Sequence, residues 1–333
     1  MHTKRNVFIA VFSFLILTIF VLYGTYYYIL DKQKILLDST YNLTNTNILK
    51  LTEKFLDNKI NTTLAIALSL VKDYELHKLM ATQEYDKFNY NDISQQIKDN
   101  TKFKNIWIQI IDKEGNSIYR SWSDKKGDNL FFRKDLKNFV EDKKVSTSIS
   151  VGLYSMTIKA RAPIIDEENN FLGALEIISQ FNSIANDLKE NKIDSVIIAD
   201  KKYNEIIQLP FSKIFIDDYY VANVNVNKEL ITYLQRNKIE KYLKINNYII
   251  ENNYLISKFD LYNNKNERLG YILNFVKLND IDIRIVESFK IQTIMISAIV
   301  LITMLFFFLI YLYTSYLRLL RIQENKKEAI LNS

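Results

Sequence analysis

Asn105-Ile-Trp107-Ile-Gln109-Ile-Ile-Asp112-Lys-Glu-Gly115-Asn-Ser-Ile118-Tyr119-Arg120-Ser121-Trp122-Ser123 is the stretch from which the rest of the chain can be read. Ile106, Ile108 and Ile110 alternate with Trp107, Gln109 and Ile111, the period-two pattern of a strand. Asp112 to Asn116 forms a turn, with Gly115 free to take positive φ. Ile118 to Trp122 returns as a second, antiparallel strand. One face of the pair is aliphatic. The other carries Trp107 and Gln109, beside a neighbour that ends in Tyr119, Arg120, Ser121 and Trp122. Large aromatics next to a few polar groups suit a small-ligand pocket. The same residues also suit an ordinary sheet core with polar tips.

Toward the N-terminus, Thr25 to Glu114 contains neither Gly nor Pro, the main breakers of regular structure. Asp31 to Leu79 reads as helix, because Ile48, Leu51 and Phe55, then Leu64, Leu68 and Val71, recur at three- and four-residue spacing. If continuous, it reaches roughly 70 Å at 1.5 Å per residue. The alternative is two shorter helices broken near the Asn- and Thr-rich Tyr41 to Asn47. Phe88 to Lys102 reads as a further helix.

Toward the C-terminus, a polar loop leads to a short helix or turn at Arg133 to Glu141. Ser146 to Val151 alternates like a strand, and Gly152 bends it. Tyr154 to Ile164 is another strand, which Pro163 and the turn Asp166 to Asn170 are expected to stop. Phe171 to Ser179 closes the sheet, and a helix from Phe181 to Glu190 leads out. Five strands after a long helix fit an α+β domain. The pattern then returns about 90 residues on. Ser195 to Asp200, then Ile206, echoes Trp107 to Asp112, then Ile118. Arg268-Leu269-Gly270-Tyr271-Ile272 echoes Phe171-Leu172-Gly173-Ala174-Leu175. Two copies of one supersecondary unit are therefore expected. Lys277 to Lys290 reads as a helix running into the second apolar run.

Val7 to Leu30 and Ile291 to Tyr316 are long apolar runs, and about 20 such residues span a bilayer. His2, Lys4 and Arg5 precede the first, and Tyr26-Tyr27-Tyr28 suits an interfacial belt. Arg318, Arg321, Lys326 and Lys327 follow the second, which places both termini in the cytoplasm and residues 31–290 outside. The first run is read as an uncleaved anchor rather than a signal peptide, being long and lacking a small-residue cleavage site.

The 333 residues carry a net charge of +6, spread without the clustered basic patch that nucleic-acid binding requires. With no Cys and only His2 and His77, thiolate chemistry, Cys-based metal sites and His-based triads are excluded. No cofactor motif is present.

A membrane-exiting helix, two tandem sheet modules and a return span resemble the double Cache sensor domains of bacterial transmembrane receptors. The match rests on Trp107 to Asp112, Gly115, Tyr119 to Ser123, Gly127-Asp128, Arg133 to Leu136, Ser148 to Gly152, Pro163 and Gly173 to Phe181. It covers residues 31–290 and looks most like the group on sensor kinases and diguanylate cyclases. The resemblance implies an α+β fold in which a long N-terminal helix carries two PAS-like (Cache) antiparallel-sheet modules between two transmembrane helices. The expected segments are 1–30, anchor; 31–79, stalk helix; 80–191, membrane-distal module; 192–290, membrane-proximal module; 291–316, second span; and 317–333, the start of a signalling helix.

The resemblance also implies a ligand in the distal module. In amino-acid-binding members, aromatics, an Arg and an Asp hold the ligand; Tyr119, Trp122, Arg133 and Asp135 match by type but not by spacing. The candidate set is Trp107, Gln109, Tyr119, Ser121, Trp122, Arg133, Asp135 and Tyr154. Arg133, in a polar stretch after the sheet, is assigned to the ligand, which makes that ligand a small anion or zwitterion. Arg120 is assigned a structural role. The expected function is a membrane-anchored, non-enzymatic sensor, homodimeric, signalling through the second span, with an output that lies on another chain or is missing. The alternatives are an assembly subunit of a receptor complex, or an extracytoplasmic enzyme working with scattered carboxylates.

Overall fold

The computed structural model describes residues 2–103 and 106–331. Met1, Asn105, Asn332 and Ser333, which the sequence reading gives to the N-terminal segment, the opening strand and the C-terminal tail, lie outside the described residues. Contacts divide the chain into two units, Thr44–Ile281 and Met1–Leu43 with Asp282–Ser333.

Helix α1 (His2–Leu70) runs through both units without a break. The Asn- and Thr-rich stretch does not interrupt it. At its start the Thr40 hydroxyl and the Asn42 amide donate back to the carbonyls of Leu36 and Asp38, at 2.8 and 3.0 Å, so these side chains occupy themselves within the helix. The helix stops short of Leu79. Asp73 accepts from the Glu75 N–H at 3.1 Å and caps a new helix, α2 (Tyr74–Thr82).

In the first sheet module, α3 (Asn91–Asn100) leads into β1 (Ile106–Asp112) and β2 (Ser117–Arg120). Helix α4 (Lys134–Asp142) precedes β3 (Ser146–Val151), β4 (Met156–Ile165) and β5 (Phe171–Ser179), and α5 (Asn182–Glu190) follows. The antiparallel order is β2-β1-β5-β4-β3. Strand β4 continues through Pro163 rather than ending there. β3 pairs with β4 only as far as Ser146 opposite Arg161, so Pro163 meets a partner on one side alone and its missing N–H breaks no ladder. Ile106, Ile108 and Ile110 pack with Ala67 of α1 and Leu76, Leu79 and Met80 of α2 in one core. Trp107, Gln109 and Ile111 face the other way.

The second module holds β6 (Asp194–Ala199), the small pair β7 (Phe215–Ile216) and β8 (Tyr219–Tyr220), α6 (Lys228–Arg236), α7 (Glu240–Leu243), β9 (Tyr248–Glu251), β10 (Tyr254–Tyr262) and β11 (Arg268–Lys277). Its order, β6-β11-β10-β9, repeats the first sheet without a counterpart of β2; only a bridge from Ile198 to Val221 stands there. Gly173 lies opposite Asp112 and Gly270 opposite Ala199, the same place one residue out of step. A Cβ on either glycine would run into a carbonyl oxygen of the facing strand, Ile111 or Ile198. That close approach is why the echoed glycines were visible in sequence.

In the other unit, helix α8 (Arg284–Leu331) packs on the first part of α1. Phe14 stacks on Phe308 with ring centres 4.2 Å apart, and Thr25 donates to Ser297 at 3.0 Å. Both helices are long and apolar enough to cross a membrane. Phe8 and Phe20, 71% and 72% exposed, point outward from the pair, an arrangement suited to lipid rather than water.

Candidate ligand cavity

The strand register builds the site. Arg120, Gln109, Glu176, Arg161 and Ser146 stand opposite one another in turn across all five strands of the first sheet. One step along, Trp107, Ile178, Lys159 and Ser148 form a parallel row. Both rows lie on the face away from α1, and Arg120, Gln109, Trp107, Ile178 and Lys159 from them line, together with loop residues, a cavity of about 440 Å³, within the usual range for small-molecule sites.

Aromatic side chains form one wall. The Trp107 and Trp122 rings stack at 4.8 Å, with the Tyr154 ring edge-on to both at 6.2 and 6.1 Å. Phe211, from the second module, meets Trp107 edge-on at 5.2 Å. The Trp122 indole nitrogen is buried without a hydrogen-bond partner among the described residues.

Behind the opposite wall, reaching the cavity through Arg133, lies a buried ion cluster. Glu176, wholly buried, accepts from Arg133 at 2.9 and 2.5 Å and from Arg161 Nε at 2.5 Å. Asp135 accepts from Arg133 at 3.4 Å, from Ser148 at 3.2 Å, and also from Arg161. The Gln109 carboxamide donates to Glu176 at 3.2 Å, and its oxygen accepts from Ser117 at 2.7 Å and Arg120 Nε at 3.2 Å. Arg120 is in turn paired with Asp128 at 2.6 Å.

Lys159 is left over. It is 3% exposed, lines the cavity, and donates to Ser150 Oγ at 2.6 Å. Burial, then the nearby Arg133, pulls its ammonium down to about 7. Burial pushes Glu176 upward, but Arg133 and Arg161 outweigh it and hold the carboxyl at about 2. Asp135 is likewise held well below the usual range by the two guanidiniums, against its own burial. Of the buried cations that line the cavity, Arg120 is paired with Asp128 and Arg133 with Glu176, whereas Lys159 is in ion-pair contact with no carboxylate among the described residues. An acceptor-rich anion is the chemical complement of such a wall.

Of the residues named from sequence, Trp107, Gln109, Trp122, Arg133 and Tyr154 line this cavity. Tyr119 and Ser121 do not. Tyr119 stands opposite Ile110 and points to the aliphatic face, where its hydroxyl accepts from the Tyr90 N–H at 2.8 Å. Ser121 accepts from the Ile108 N–H at 2.9 Å and closes the strand end. Asp135 lies behind Arg133 and opens instead on a neighbouring cavity. Arg133 is no free loop side chain; both its terminal nitrogens are taken by carboxylates. Sequence reasoning missed Lys159, Arg161 and Glu176. The available signal was charge inside apolar strands, Lys159 and Arg161 two apart in β4 and Glu176 within Ala174 to Ile178, since such residues are buried only with partners.

No family profile and no curated protein matches the chain. Among solved structures it is similar to the ligand-binding domain of the Campylobacter jejuni chemoreceptor Tlp3 in complex with 4-methylisoleucine, at 14% identity over 74% of this chain and 94% of that one, TM-score 0.44. It is similar to the sensor domain of the V. cholerae histidine kinase DctB at 13% identity, over 71% and 96% of the two chains, TM-score 0.42. The E. coli DcuS sensor domain matches at 15% identity, over 41% of this chain and 98% of that one, TM-score 0.35. At such identities and scores the likeness assigns neither ligand nor activity. All three are sensor or ligand-binding domains.

Proposed function

We propose that the chain is a membrane-anchored extracytoplasmic sensor whose first sheet module, residues 80–191, binds a small carboxylate-bearing ligand, an anion or zwitterion. The carrying observation is Lys159, a buried cation in ion-pair contact with no carboxylate among the described residues, on the wall of a cavity lined by stacked tryptophans. The role is binding rather than catalysis. Binding shifts the module's conformation, and α8 carries the change across the membrane, with two copies of the chain acting as a pair. This topology predicts that reporter fusions at Asn169 and Glu324 fall in opposite compartments; equal compartments would exclude it.

The chain has only two tryptophans, Trp107 and Trp122, and both face the cavity. Their fluorescence in the full chain, held in nanodiscs, is a direct readout for a panel of small carboxylates, amino acids and the matching amides. A carboxylate is expected to quench or shift the emission where its amide does not. Lys159→Met should weaken that ligand by about ten- to a hundredfold, the value of a charged hydrogen bond. Equal binding of acid and amide would overturn the assignment.

A further inference from the structure

A second set of unsatisfied groups lies away from this cavity, where α1 passes α5. Lys59 of α1 is 3% exposed, and its Nζ has no hydrogen-bond partner among the described residues. The ammonium rests 4.1 Å from the centre of the Phe103 ring. Ser183, in the first turn of α5, is also 3% exposed, and its hydroxyl is likewise unpartnered. Phe181, which immediately precedes α5, supplies no side-chain cap, so the positive end of the helix is uncompensated from that side. Lys59 and Ser183 open on one cavity, whose apolar lining is Phe55, Phe103 and Ile184.

We infer that this niche is a second ligand site, for a short-chain aliphatic monocarboxylate, with the carboxylate on Lys59, Ser183 and the start of α5 and the tail against Phe55 and Phe103. Three donor features meet there with no acceptor to satisfy them, and a carboxylate supplies up to four lone pairs. Helix starts favour anions, and a buried donor without a partner is costly until one arrives. Two acidic residues, Asp187 and Glu190, face the same cavity, and both are held by Lys102, at 3.6 and 2.8 Å. Lys59 keeps no carboxylate of its own. Burial pulls it down to about 7, against the pull of Asp187, so carboxylate binding above neutral pH takes up a proton.

The test is titration calorimetry of the full chain in nanodiscs with acetate, butyrate and hexanoate. Butyrate is expected to bind without changing the fluorescence of Trp107 and Trp122, and its dissociation constant should rise up to tenfold per pH unit above about 7. Lys59→Met should weaken it at least tenfold and Ser183→Ala several-fold, while Lys159→Met leaves it unchanged. Failure of all three acids to bind at millimolar concentration overturns the inference. So does butyrate binding that Lys59→Met leaves intact, or that only Lys159→Met removes. Should Lys59→Met not fold, Ser183→Ala decides alone, and an unaltered affinity there overturns the site. Binding lost only in Lys159→Met would instead place butyrate in the Lys159 cavity, which is read separately by tryptophan emission.

Discussion

Glu176 in β5 and Leu273 in β11 occupy the same place in their sheets, each three residues beyond a glycine that backs onto the neighbouring strand. Glu176 stands between Gln109 and Arg161; Leu273 stands between Val196 and Lys258. The faces turned toward α1 are alike in using a threonine of that helix. Thr63 shares a hydrogen bond with Ser179 at 2.8 Å, and Asn274 donates to Thr52 at 3.0 Å. The opposite faces diverge. In the second module that face is filled by Leu234, Tyr242, Leu273 and Phe275 in a closed apolar core. In the first it carries an ion cluster and a cavity. One scaffold has thus been used once as a container and once as a packed support. The difference lies in a few residues per strand and in the missing counterpart of β2, while the order of the other four strands is shared.

The largest expected effect comes from copying the second module's residue into the first. Glu176→Leu leaves Arg133, Arg161 and Lys159 with Asp135 as their only carboxylate. Breaking a buried pair from one side costs about 3–5 kcal/mol, so denaturant unfolding should show a loss of that size. A loss below about 1 kcal/mol, ordinary for a surface change, would mean that water reaches the cluster and that the two faces differ less than their residues suggest.

A middle-sized effect distinguishes the cluster by pH. Lys159 titrates at about 7 in the folded chain against an ordinary 10.5. Between those values the unfolded chain holds a proton that the folded chain lacks, so stability rises with pH, by up to about 1.4 kcal/mol per unit for each such lysine. The penalty for the buried charge is fully present below pH 7 and fades as pH climbs toward 10.5. Lys59, also at about 7, contributes with the same sign. Lys159→Met should flatten the slope above pH 7 and gain most of its stability at pH 6. An unchanged slope in thermal melts across pH 6 to 9 would place Lys159 in water.

The scaffold was legible in sequence for reasons the structure makes plain. Alternation marked β1 and β3, since successive side chains of a strand turn to opposite faces of the sheet, and the absence of Gly and Pro exposed α1. The repeated glycines stood out because no other residue fits where two strands approach so closely. The site was only half legible. Period two placed Trp107 and Gln109 on one face, but it was not carried through the turn after Asp112. There the pairing shifts between Ile110 and Ile111, and that shift turns Tyr119 inward and Arg120 toward the cavity. Lys159, Arg161 and Glu176 come together only through sheet order, which no local pattern encodes. Phe211 reaches Trp107 from the other module, a contact between segments about a hundred residues apart.

The smallest effect should sharpen the comparison most, because it tests how the packed module serves the hollow one. Tyr220 lies on β8, wholly buried. Its hydroxyl donates to Ser155 Oγ in the first module at 3.2 Å and accepts from the Ser212 N–H at 3.2 Å. Beside it the N–H groups of Leu209 and Phe211 donate to the carbonyls of Leu153 and Tyr154, at 3.0 and 2.9 Å. The second module therefore closes the mouth of a cavity whose equivalent it has itself filled. Tyr220→Phe keeps the ring and its packing, so the loss of stability should be about 1 kcal/mol, one neutral hydrogen bond. The strap from Leu209 to Ser212 would nonetheless lose its anchor to the first module at that point. Acrylamide quenching of Trp107 and Trp122 should rise and their emission move to longer wavelength as water enters. A melting shift of that size with unaltered quenching would show that the mouth is held by Phe211 and the backbone bonds alone, and that the second module's part in sealing the cavity does not pass through Tyr220.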